Sequence, residues 1–134
     1  MSVNRVAGFH HAALTVSDLE RSRGWYEQVF DLDLQFEEHE EHRRAAIYRF
    51  AGTDGMLGLV EHRGGEVDAF RPERIGLDHL AFTVLTRDAI EDWAVQLGSL
   101  GVEHSGVIDI PPGGILNFRD PDGIQLAVFW DRDS

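Results

Sequence analysis

Two histidines, His11 and His79, open stretches that read almost alike, HHAALTV at 10–16 and DHLAFTV at 78–84. Laid on each other, Ala13 falls on Ala81, Leu14 on Phe82, Thr15 on Thr83 and Val16 on Val84. A neutral imidazole is a metal ligand, and near neutral pH it is also a general base. Two imidazoles from equivalent strands can converge on one divalent ion, and with one carboxylate they make a centre that leaves positions open for substrate. A lone histidine in an apolar strand is more often a satisfied structural residue, so the repetition is what lifts these two. His10, next to His11, falls on the opposite strand face and reads as structural.

Other stretches carry less. EEHEEHRR at 37–44 sets two histidines among carboxylates, but in a hairpin His39 and His42 face opposite ways, and a charge run of this kind is a solvated tip. IPPGGI at 110–115 has glycines without the following Gly-Lys-Ser/Thr of a phosphate loop. The chain has no Gly-x-Ser-x-Gly elbow, and with no cysteine it has no thiolate site or disulfide. FRDPDG at 118–123 reads as a turn, with Pro121 presetting φ and Gly123 tolerating a positive one.

The elements that position the histidines come in two sets. The spacing of 68 residues between them also carries Trp25 onto Trp93 and Asp54-Gly55 onto Asp122-Gly123, which marks a duplicated structural unit. FHHAALTV and LDHLAFTV have the β-rich composition of strands. Ser17 and Glu20 have capping-box spacing, predicting a helix over LERSRGWYEQVF that buries Leu19, Tyr26, Val29 and Phe30. In the second copy Ile90, Trp93, Ala94 and Leu97 form a helical stripe that Gly101 ends. Three strands follow each helix: DLQFEE, AAIYRF and MLGLVEH, then VEHSGVI, GILNFR and IQLAVFW. The predicted fold is therefore α+β, with two tandem βαβββ modules over residues 8–62 and 77–130 and a linker over 63–76. One helix per module leaves the other sheet face free to curve around a cavity.

Composition bounds the partners. The chain has 134 residues, 12 Lys plus Arg against 24 Asp plus Glu, and a formal charge of −12. Such a field disfavours nucleic acid and anionic membranes and attracts cationic ligands. No stretch approaches the ~18 apolar residues of a membrane helix, and the expected location is the cytoplasm.

HAALTVSDLERSRGWYEQVF, GLDHLAFTV and NFRDPDGIQL resemble the strand–helix opening, second-module opening and C-terminal signature of the vicinal oxygen chelate superfamily. That superfamily includes glyoxalase I, extradiol dioxygenases, and fosfomycin- and bleomycin-resistance proteins, and the resemblance covers roughly residues 8–130. It implies a homodimer and, for metal-using members, ligation by a histidine of each module's first strand, here His11 and His79. The resemblance places the carboxylate ligand four residues after the Gly of DPDG, where this chain has Ala127. In the first module the strict 68-residue offset gives Leu59, and a one-residue adjustment gives Gly58; neither is a ligand. Glu61 lies two residues, ~7 Å, beyond the spot on the Leu59 register, and the Gly58 register turns it to the other face.

By alternation His11, Ala13 and Thr15 share one face, as do His79, Ala81 and Thr83, while Leu14, Val16, Phe82 and Val84 face the helices. Phe129 shares the parity of Ala127. Tyr48, Phe50, Asn117 and Trp130 are candidates whose facing the sequence leaves open. The expected ligand-binding set is His11, Ala13, Tyr48, His79, Ala81, Asn117, Ala127, Phe129 and Trp130. The expected function is a protein of the bleomycin-resistance type that sequesters a hydrophobic or planar small molecule, such as an antibiotic, without a metal. The alternative is a metal-dependent lyase, isomerase or dioxygenase holding Fe, Mn, Ni, Co or Zn on His11, His79 and Glu61. A third reading is a metal-free enzyme with His11 or His79 as general base.

Overall fold

Short strands with apolar residues at every second position must bury one face, and each helix here supplies the cover. The computed structural model describes residues 3–65 and 68–133. The chain divides into two compact units, Met1–Val67 and Asp68–Ser134, each a βαβββ set in an α+β architecture.

In the first unit β1 (His11–Thr15) leads to α1 (Leu19–Val29), then to β2 (Leu32–His39), β3 (Arg43–Phe50) and β4 (Met56–His62). The sheet order is β1-β4-β3-β2, with β1 parallel to β4 and the other pairs antiparallel. Register decides the faces. Leu14 pairs with Leu59, and Ala46 also pairs with Leu59, so these residues share a side with Leu57 and Tyr48. That side meets Leu19, Tyr26 and Val29 of α1, and all eight are buried. The opposite side carries His11, Ala13 and Thr15 in line with Met56, Gly58 and Val60.

The start of α1 differs from the expected capping box. Asp18 is the N-cap, its carboxylate accepting from the Arg21 amide at 3.1 Å, and Ser17 lies outside the helix, bonded to the Arg21 guanidinium. The Leu19 amide, one of the donors a helix start leaves unpaired, goes to the Glu61 carboxylate at 2.8 Å.

The second unit repeats the plan with β5 (Leu80–Val84), α2 (Arg87–Ser99), β6 (Ile108–Ile110), β7 (Gly113–Arg119) and β8 (Gln125–Asp131), in sheet order β5-β8-β7-β6. Ile90 and Leu97 of α2 are fully buried above Leu116, Leu126 and Val128. Gly101, at φ 74°, closes the helix: its amide bonds the Gly98 carbonyl and the Val102 amide bonds that of Leu97. Of the strand expected over VEHSGVI (102–108) only Ile108 lies in β6, which starts there and runs on to Ile110. Gly106 at φ 72° breaks the expected strand's extended backbone, leaving His104 with a single bridge to Phe118. Gly113 is required where it stands, because a Cβ there would lie 1.9 Å from the Trp130 carbonyl oxygen.

Candidate functional site

Each sheet presents one helix-covered side and one side with no helix of its own unit. In the second unit the pairings Ala81↔Ala127 and Asn117↔Ala127 put three expected site residues in one row. The next row towards the β8 C-terminus is Thr83, Phe129 and Ile115. The row before it pairs Gln125 with Arg119, and His79, one residue ahead of the Leu80↔Leu126 pair, stands in line with them. The face therefore grades from polar (His79, Gln125, Arg119) through small (Ala81, Ala127) to apolar (Phe129, Ile115). Ala81 is exposed, while Ala127 is a buried floor position.

Trp130 is not on this face. It pairs with Val84 and Gly114 on the helix side, where its ring lies 5.9 Å from the Arg87 guanidinium carbon of α2 and 5.4 Å from that of Arg132. It is an anchor for charged neighbours, which corrects its place in the expected binding set.

His79 is half-exposed, and its Nδ1 donates to the Asp78 carboxylate at 2.7 Å. A carboxylate accepts only, so this bond holds the proton on Nδ1 and leaves Nε2 as the free ring nitrogen of the neutral form.

In the first unit His11 and Ala13 share the uncovered side, with Gly58 beside Ala13. A Cβ at Gly58 would come within 3.1 Å of Ile47 and 3.4 Å of Ala13, so the row is closely packed. His10 lies outside β1, exposed, with its Nδ1 2.9 Å from that of His11. It is a neighbour of His11 in this structure, not a residue on an opposing strand face.

Tyr48 is buried on the helix side, where its hydroxyl accepts from Arg23 Nε at 2.9 Å and donates to Glu27 at 3.2 Å. This removes it from the expected ligand-binding set. Burial raises its hydroxyl pKa above the usual value, with the Arg23 contact pulling the other way. Glu61 is corrected in the same way. It pairs with Arg44, on the helix side, and its carboxylate serves the Leu19 amide and the Arg44 guanidinium at 3.2 Å.

The sheet registers settle the offset between modules: Gly58 pairs with Ala13 as Ala127 pairs with Ala81. The two positions equivalent to the expected carboxylate ligand are thus a glycine and an alanine. The residues present do not fit a 2-His-1-carboxylate centre, since Glu61 lies across its sheet from His11. In the 37–44 hairpin Glu37 pairs with Arg23, Glu38 with Arg43 at 3.3 Å, and His42 is exposed. Among the described residues no group of three or more His, Cys, Asp or Glu side chains is placed to hold a metal.

Two residues escaped the sequence reading, Arg119 and Gln125. Arg119 was absorbed into a turn, yet the turn begins only after it. The Gly123 amide bonds the Asp120 carbonyl, and the Asp120 side chain accepts from Asp122 and Ile124. Stepping back by two from Ala127 gives Gln125, and the hairpin then places Arg119 opposite.

With this geometry the family follows. Residues 8–128 match the Glyoxalase/Bleomycin resistance protein/Dioxygenase superfamily. The chain belongs to that superfamily. A glyoxylase/bleomycin resistance protein/dioxygenase domain from Frankia sp. EAN1pec has a solved structure that superposes with a TM-score of 0.89 at 32% identity, covering 96% of this chain and all of that one. Biphenyl-2,3-diol 1,2-dioxygenase 2 of Rhodococcus globerulus is 30% identical over 130 residues, 90% of this chain; the chain spans only 62% of that relative's length. The Bacillus subtilis protein YwkD is 30% identical over 124 residues, covering 90% of this chain and 94% of its own. This superfamily scaffold carries many unrelated activities, so the site has to speak for function.

Proposed function

We propose that this superfamily member is a small-molecule binding protein that holds a hydrophobic or planar compound on the uncovered sheet face without a metal. The observation that carries the reading is the Ala81–Ala127–Asn117 row. It has small side chains where a ligand would lie, one polar group to orient it, and no carboxylate at Ala127. Phe129 offers a ring for stacking beside that row. On the second sheet His79, Ala81, Asn117, Ala127 and Phe129 remain the proposed contacts, and His11 and Ala13 are the corresponding candidates on the uncovered face of the first sheet. We place the protein in the cytoplasm as a homodimer, as in many superfamily members, and light scattering of the purified chain tests the dimer.

The test of binding is equilibrium dialysis of the metal-free full chain against a panel of flat polycyclic compounds, with mass spectrometry of what is retained and then released. Stoichiometric retention of an unchanged compound is the expected result; release of an altered compound overturns it. The competing reading, ion-dependent chemistry at His11 and His79, draws support from the similarity to a dioxygenase and from both histidines lying on uncovered faces. Elemental analysis after exposure to Mn, Fe, Co, Ni and Zn decides between them. One ion per chain, lost in both H11A and H79A, would overturn the metal-free reading.

A further inference from the structure

We infer that the uncovered face of the second sheet takes a small aromatic anion, its carboxylate held by Arg119 and Gln125 and its ring lying along the exposed Ala81 and Asn117 of the Ala127 row towards Phe129. This inference rests on the binding reading above and names the chemical class of its ligand.

The argument begins with a contrast between the two units. In the first, Arg49 pairs with Met56 in the row of His11, as Arg119 pairs with Gln125 in the row of His79. Arg49 is committed to Asp54, with its guanidinium 3.9 Å from the carboxylate and bonded to the Asp54 carbonyl. Arg119 is exposed and has no ion-pair or hydrogen-bond partner for its guanidinium among the described residues. In a chain with twice as many acidic as basic residues, an unneutralised arginine on a ligand-sized face is a local reversal of the overall field.

On one side of Arg119 stands Gln125, a neutral amide donor; on the other the His104↔Phe118 bridge sets the exposed Glu103 in line with it, without an ion pair between the two. No carboxylate belongs to the two rows beyond on this face. Asp78, at the same end, is already bonded to His79 Nδ1. Asp131 shares the face but lies six residues along β8, ~20 Å from Gln125 and past Phe129. A guanidinium fork fits a carboxylate through two parallel hydrogen bonds, and the Gln125 amide adds a third. Along β8, Ala127 lies ~7 Å and Phe129 ~13 Å from Gln125, so a bicyclic acid anchored at Arg119 runs over the small row and ends against the Phe129 ring. The net charge of −12 draws cations to the molecule as a whole. These rows select the opposite sign at contact range, where a hydrogen-bonded charge outweighs a screened distant one.

Calorimetric titration of the full chain with 2-naphthoate, 2-naphthamide and 2-naphthylmethylammonium tests this. The three probes share one ring system and differ in head-group charge. Expected is 2-naphthoate bound about tenfold more tightly than the amide, the gain of a charge-assisted contact at a partly wet site. R119Q should lose most of that factor for the acid and weaken the amide by clearly less, so that the two probes bind alike, and R119K should fall between. Both replacements are at an exposed position, and an unchanged melting curve certifies the fold. Equal binding of acid and amide, preference for the ammonium probe, or an R119Q variant that titrates like the native chain overturns the inference. If the amide or ammonium binds and the acid does not, the inference falls while the binding reading stands. If none of the three binds, the inference falls and the dialysis test alone judges that reading.

Discussion

Replacing Glu61 separates a structural carboxylate from a metal-ligating one. Its Oε1 accepts from the Leu19 amide at 2.8 Å and its Oε2 from Arg44 at 3.2 Å, and its side chain is 26% exposed. Glu61→Ala leaves the first amide of α1 without its acceptor, which costs about 1 kcal/mol once water has partly replaced the carboxylate. Loss of a negative charge at a helix N-terminus adds about 0.3–1 kcal/mol. The half-exposed ion pair with Arg44 adds at most about 1 kcal/mol. Together these give about 1.3–3 kcal/mol, and with a urea slope of about 2 kcal/mol/M the midpoint falls by about 0.7–1.5 M. Glu61→Gln keeps an oxygen for the Leu19 amide and should lose about half as much. A double-mutant cycle with Arg44→Ala isolates the ion-pair share. Urea unfolding followed by circular dichroism is the assay. An E61A midpoint within about 0.2 M of the native one would refute the reasoning, because the carboxylate would then be doing nothing at the helix start.

Two further perturbations test the helix-side packing. Burial lifts the folded-state pKa of Tyr48, so its contribution to stability is full below the unfolded value of 10.0 and drains away as pH rises through the higher folded value. Urea midpoints measured from about pH 8 to 11 should therefore fall in the native chain and fall less in Tyr48→Phe, which itself costs about 0.5–1.5 kcal/mol by stranding Arg23 and Glu27. Identical slopes in the two chains would place the alkaline loss elsewhere. Ser22 is fully buried in α1 with no hydrogen-bond partner for its hydroxyl among the described residues, so Ser22→Ala should stabilise by about 0.5–1.5 kcal/mol, seen as a higher melting temperature. A lower melting temperature would show that the hydroxyl is satisfied after all.

The sequence by itself determined the two-module plan and the faces of the leading strands. Side-chain alternation is local, so HHAALTV and DHLAFTV declare which residues accompany His11 and His79. The stripe of Ile90, Trp93, Ala94 and Leu97, and the stop at Gly101, depend on neighbours within one or two turns and were equally legible. The superfamily was legible because its signatures recur in both halves.

Only the tertiary structure decided what faces what across the sheets. A match between the histidines sets the modules 68 residues apart, yet Gly58 and Ala127, equivalent by strand pairing, differ by 69. That single residue moves Glu61 from the histidine face to the helix face, because a strand reverses its side chains at every step. The same rule sends Tyr48 to Arg23 and Trp130 to Arg87, while Asn117 and Arg119 come to the uncovered side. Hairpin register is set by turns and by the packing of distant strands, and no single strand encodes it. The capping of α1 shows the same limit: Asp18 displaces Ser17, and the acceptor for Leu19 comes from a strand 42 residues away.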